Sequence, residues 1–151
     1  MKILLISFLL SAVPLIEQRG AIPYGIFSGQ PAWQVFLVSL AGSILPVPFI
    51  LLLFNQIYQW LLKWQFFDRV VKHIDKKIAK NQATFEKYEE LALIIFIAIP
   101  LPTTGLWTGS AIASFLKLDF KKSLFCAVLG GIISATIITA LCVLIPGLFK
   151  H

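Results

Sequence analysis

The chain opens with a short apolar run, Ile3 to Ile16, which Pro14 interrupts and Glu17-Gln18-Arg19-Gly20 closes. A helix needs about twenty apolar residues to cross a bilayer, so this run falls short by several. Residues 21–31 then carry Pro23, Gly25, Gly29 and Pro31, a punctuated stretch unlike a regular spanning helix. Trp33 to Leu62 follows with thirty residues and no charge. At helical rise that is about 45 Å, more than the roughly 30 Å hydrocarbon layer requires. Pro46 and Pro48 are expected to kink this span, because each removes a ladder donor and crowds the preceding turn.

The only extended polar region is 63–90. Phe67, Val70, Val71, Ile74 and Ile78 recur there at helical spacing, with Asp68, Lys72, Asp75, Lys76 and Lys80 on the other faces. The pattern predicts a basic amphipathic helix, lying on a membrane surface or serving as a solvated linker. Leu91 to Ile99 is again apolar but too short to span, and it ends in Pro100-Leu101-Pro102-Thr103-Thr104-Gly105. Apolar sequence resumes through Leu116, and after Lys117, Asp119, Lys121 and Lys122 a second long run extends from Ser123 to Phe149.

Charge placement converts these runs into a topology. Ten of the thirteen Lys and Arg fall in residues 63–90 and 117–122. Cytoplasmic loops collect Lys and Arg, so both windows belong inside, and residues 91–116 between them must enter and leave on one side. The same reasoning makes 1–31 dip in from outside. The expected fold is an all-α integral membrane protein in one domain of two inverted halves. Each half is a re-entrant hairpin (1–31 and 91–116) followed by a transmembrane helix (32–62 and 120–149), with the 63–90 segment between them. Inverted repeats of broken helices are a plan of secondary transporters. Pro14, Gly20 and Gly25 echo it faintly as Pro100, Gly105 and Gly109.

Composition sharpens the class. Of the residues 58% are apolar or aromatic and 13% charged, about half the charge of an ordinary soluble domain. Too few helices are present to enclose a wide cavity alone, so a homo-oligomer is expected. The net charge of +6 follows membrane orientation, and nucleic acid is not an expected partner. Cys126 and Cys142 lie about 24 Å apart along a helix, too far to bridge within the chain. His73 has no Cys or His near it, so neither a metal site nor a cofactor is expected. No nucleophile stands with a plausible base, and no phosphate-binding Gly-rich loop ends in Lys-Ser or Lys-Thr, which argues against an enzyme. A cleaved signal peptide at the amino terminus is a rival reading, countered by the poor cleavage site Ser11-Ala12-Val13 and by the apolar sequence that resumes after the charges.

Irregular backbone at membrane depth is tolerated only within protein or beside a water-filled cavity, so the two hairpin tips should meet. Glu17 and Arg19 are the ionisable pair of the first tip; positions two apart do not face each other on a regular helix, but a chain turning at Gly20 and Pro23 can bring them together. One reading makes Glu17 a proton or cation acceptor and Arg19 an anion or phosphate clamp; the other has both merely pin hairpin depth at the interface. Thr103 and Thr104 can satisfy backbone groups freed at the second tip, and Trp107 either stacks on a ligand cation or anchors at the interface. Gly105, Gly109 and Ala113, and likewise Gly131, Ala135 and Thr139, form small-residue stripes that favour close helix packing. Ser43, beside Gly42, is expected to bond its local backbone.

Three ordered motifs carry a resemblance that spans nearly the whole chain. Pro14-Leu15-Ile16-Glu17-Gln18-Arg19-Gly20-Ala21-Ile22-Pro23, Leu45-Pro46-Val47-Pro48-Phe49, and Ile99-Pro100-Leu101-Pro102-Thr103-Thr104-Gly105-Leu106-Trp107-Thr108-Gly109 resemble the bacterial small multi-drug export proteins. Ser43 and Thr103 stand where that family commonly has Asn and Gly. The outline is also similar to the DedA/VTT membrane proteins, which implies paired re-entrant hairpins and lipid transport or scrambling. By resemblance, Glu17, Arg19, Gly20 and Pro23 belong to the first hairpin motif, and Pro100, Pro102, Thr104, Gly105, Trp107 and Gly109 to the second. The expectation is a multi-pass transporter of the bacterial inner membrane that moves an amphipathic drug-like or lipid-like molecule, with Glu17 protonation coupled to access and membrane lipids as its surroundings. Passive lipid scrambling and a structural subunit without flux are the alternatives.

Overall fold

The computed structural model describes residues 1–14, 16–61, 82–101, 104–116 and 118–144. Among them are seven helices and no strand: α1 (Lys2–Ala12), α2 (Glu17–Phe27), α3 (Ala32–Ile44), α4 (Val47–Leu61), α5 (Gln82–Ala98), α6 (Leu106–Phe115) and α7 (Phe120–Leu144). Most of the expected amphipathic segment lies outside the described residues. Its last part, 82–90, is the start of α5, so the helix entering the second break is longer than the apolar run alone indicated.

Local chemistry sets each boundary. α1 stops at Val13, which adopts extended backbone (ψ 133°) because Pro14 disfavours the helical region for the residue before it. α2 continues to Phe27, so residues 21–27 are helical despite Pro23; its missing amide costs the ladder one bond while α1, α3 and α7 pack around the rest. At its end Gln30 N–H donates to Gly25 O (3.2 Å) and Gly29 N–H to Ile26 O (3.0 Å), with Gly29 at φ 85°. This is a Schellman stop followed by Pro31. Asp119 caps α7 by accepting from Lys122 N–H at 3.0 Å.

Two helical segments are long and apolar enough to cross a membrane, Ala32–Leu53 and Phe120–Leu144. The first is α3 running into α4 through Leu45 and Pro46, which divide it where the prolines predicted a kink. By contrast α1, α2 and α6 have 11, 11 and 10 residues. Each is about 16 Å long, roughly half of a hydrocarbon layer.

Packing gives these elements directions. α1 runs parallel to α3: Ser7 and Val35 converge on Gly25, and Ser11 and Phe8 press on Gly42. α5 runs parallel to α7, with Glu90 paired to Lys122 (2.8 Å) and Ile97 and Ile94 against Gly130. That ion pair is exposed and contributes little stability. The long segments run antiparallel: Val35 shares an apolar cluster with Ala135, Ile138 and Cys142, whereas Val47 and Leu51 share another with Cys126 and Ala127. The cysteines are free and fall in opposite clusters, in keeping with their spacing. Leu52, Leu53, Phe49, Phe125 and Leu144 project outward, as lipid-facing residues do.

Candidate functional site: the junction of two helix breaks

Glu17, Gln18 and Arg19 are consecutive, and each reaches a different element. Glu17 opens α2 with its backbone in the left-handed region (φ 48°), a conformation that costs a non-glycine residue of order 1 kcal/mol or more. The carboxylate thereby aims at the amino end of α6. Its Oε1 accepts from Trp107 N–H at 2.8 Å and its Oε2 from Leu106 N–H at 3.3 Å. A helix amino terminus presents unpaired amides and positive potential, so an acidic side chain from the other hairpin is the complementary cap. α6 has no side-chain cap of its own, because its N-cap is Gly105.

Gly105 is what lets the carboxylate approach. Its backbone (φ 147°, ψ −174°) lies in a region open only to glycine, and a Cβ there would overlap Glu17 Oε2.

Arg19 closes the other side of the second break. Its Nη2 donates to Thr104 Oγ1 (2.9 Å) and to Ile99 O (3.2 Å). Thr104 Oγ1 itself donates to Ile99 O at 2.6 Å. A guanidinium and a hydroxyl thus join the Leu101 N–H (2.9 Å) on the Ile99 carbonyl, where α5 ends before Pro100. Among the described residues Glu17 and Arg19 form no ion pair with each other, contrary to a reading of them as mutual partners. The physical reason is that the amides of α6 hold the carboxylate while the Ile99 carbonyl and Thr104 hold the guanidinium.

The residue that sequence reasoning passed over is Gln18. It is 1% exposed, donates from Nε2 to Gly131 O (3.0 Å) on α7, and accepts at Oε1 from Ser43 Oγ (3.2 Å) on α3. It therefore ties the first break to the crossing of both long segments. An uncharged polar residue inside an apolar region was the available signal, masked by its charged neighbours. Ser43 also donates toward Ser39 O (2.9 Å), the local backbone bonding expected of it.

Other predicted residues take structural places. Pro14 and Pro100 lie in the two breaks, Pro46 lies between α3 and α4, and Pro48 lies in the first turn of α4. Gly20 packs under Ile16, and Gly109 of α6 lies against Ile97 of α5. Trp107 contributes its amide to Glu17, while its indole Nε1 is buried without a hydrogen-bond partner among the described residues. Thr103 and Pro102 lie outside the described residues. No group of acidic, His and Cys side chains able to hold a metal ion occurs among the described residues.

A family model described as "Putative small multi-drug export protein" matches residues 17–138, from Glu17 of the first break through most of α7. The chain belongs to this family. No curated protein and no solved structure matches it. The family description is one of export rather than catalysis, and with the two long apolar segments it points to a membrane protein of transporter type.

Proposed function

We propose that the protein is a proton-coupled exporter of amphipathic molecules in the bacterial inner membrane, built from two inverted halves whose broken hairpins re-enter the bilayer from opposite faces. One observation carries this reading: the Glu17 carboxylate caps α6 across the two helix breaks. Each second hairpin helix packs across onto the other half, α2 against α7 and α6 against α4. A change at the Glu17 junction therefore acts on both halves together. Protonation removes the charge that pairs with the α6 amides and loosens the junction; deprotonation restores it. Arg19 and Thr104 hold the adjacent turn, and Trp107 offers the exposed part of its ring to an amphipathic substrate, its indole N–H being buried. The parallel packing of α1 on α3 and of α5 on α7, with the long segments antiparallel, supports the inverted plan. A homo-oligomer would complete a substrate path that so few helices do not enclose, with membrane lipids covering the rest.

Proteoliposomes test this reading. An amphipathic fluorescent dye should move in a protein-dependent manner that collapses when a protonophore dissipates the pH gradient. Parallel vesicles with fluorophore-labelled lipid, quenched by dithionite, read scrambling. Gradient-independent lipid movement without dye export would replace the exporter reading by scrambling, and flux of neither would remove both.

Topology is checked separately by cysteine accessibility on a chain lacking Cys126 and Cys142. Cysteines placed at residues 28 and 151 are expected to react from outside, and those at 76 and 119 from inside. Residues 28 and 119 on the same side would break the inverted plan.

A further inference from the structure

Ser39 and Ser134 are both fully buried, and neither hydroxyl has a partner among the described residues. Ser11, Ser43 and Thr136 bond their own helix, to Phe8 O (2.7 Å), Ser39 O (2.9 Å) and Ile132 O (2.8 Å), whereas the hydroxyls of Ser7, Ser110, Ser123 and Thr139 are likewise buried without a partner among the described residues. Buried hydroxyls are costly to leave unpaired, and of these Ser39 and Ser134 stand on the two helices that Gln18 joins.

Their positions share a level in the bundle. Val35, Ser39 and Ser43 recur every four residues on one stripe of α3. At one end of the stripe Val35 packs in the cluster of Ile22 and Ala135; at the other Ser43 donates to Gln18. On α7, Gly131 accepts from Gln18, Ser134 follows within one turn, and Ala135 belongs to the Ile22 cluster. Both orphan hydroxyls thus lie at the level between Gln18 and Ile22, neighbours by one turn on α2.

We propose that this level is a binding site for a small monovalent cation, Na⁺, with Gln18 Oε1, the hydroxyl oxygens of Ser39, Ser43 and Ser134, and the Gly131 carbonyl as its oxygen donors. The donor set decides the class. It contains oxygen only, which suits a hard cation and not a transition metal. It contains no carboxylate, because Glu17 is engaged with α6, so a divalent ion lacks the charge it needs. Amides and hydroxyls do not take up an additional proton near neutral pH. Little rearrangement is required: Ser43 keeps Ser39 O as its acceptor, which frees Gln18 Oε1 at 3.2 Å to turn to the ion. The site rests on the export reading only in adding Na⁺ binding to the proton-coupled cycle, and binding itself is independent of flux.

The test is thermal unfolding of the full chain in nanodiscs, titrated with NaCl at ionic strength held constant by choline chloride. The parent should show a saturable rise in Tm with Na⁺. Ser39→Ala and Ser134→Ala should each raise the half-saturating Na⁺ concentration at least about tenfold. In choline alone both should be as stable as the parent or more so, since each removes a buried hydroxyl without a partner. A parental Tm indifferent to Na⁺, as when water alone satisfies these hydroxyls, overturns the site, and so does an undiminished Na⁺ response in both variants. A Na⁺ response in a protein that exports nothing removes the export reading and keeps the site; export without a Na⁺ response does the reverse.

Discussion

Glu17→Gln is expected to lower gradient-driven dye export by at least about tenfold, equivalent to about 1.4 kcal/mol, with the protein still folded. The carboxylate offers one oxygen to each of two amides, at 2.8 and 3.3 Å. A carboxamide keeps one acceptor and turns an NH₂ group toward the other amide, so donor faces donor. A buried amide left without its acceptor costs about 1–3 kcal/mol. The variant also freezes the neutral form, so the junction cannot alternate between charged and uncharged states. Arg19→Ala in the same assay should impair export as well, because the Ile99 carbonyl and Thr104 lose their cationic donor. Parental flux from both variants would end the coupling role of this junction. Size-exclusion profiles and Tm measured on the same samples separate lost function from lost fold.

Gly105→Ala should destabilise the protein by about 3–5 kcal/mol. Two costs add. Alanine at φ 147° and ψ −174° is strained by about 1–3 kcal/mol. The new Cβ also overlaps Glu17 Oε2, which forces the carboxylate off α6 and leaves the Leu106 and Trp107 amides unpaired. A fall in Tm on the order of 10 °C follows. Gly29→Ala isolates the backbone cost, because Gly29 also has positive φ (85°) but nothing lies within 4 Å of its added Cβ. It should lose about 1 kcal/mol. Equal losses for the two variants would show that the Glu17 contact contributes nothing at Gly105.

The two breaks were legible because they are made by local chemistry. Pro14 dictates extended backbone at Val13, Pro100 ends α5, and Gly105 stands where no other residue fits. The residues expected at the tips, Glu17, Arg19, Thr104 and Trp107, do come together. Their pairing was less legible. Nearness in sequence pairs Glu17 with Arg19, whereas its hydrogen-bond partners lie 89 and 90 residues away. The continuation of α2 past Pro23 was also hidden, since the packing of three other helices on it cannot be seen from a window of ten residues.

Hydropathy runs, prolines and the clustering of Lys and Arg by themselves determined an all-helical, bilayer-suited chain with two long segments and two interrupted ones. These are properties of lengths and residue types, and they survive any arrangement in space. Tertiary structure alone decided that Glu17 caps α6, that Gln18 joins Ser43 to Gly131, and that Gly105 must lack a side chain to admit a carboxylate. Contacts between residues so far apart in sequence depend on helix direction and rotation to within a few ångströms, and a hydrophobic pattern carries no such distances.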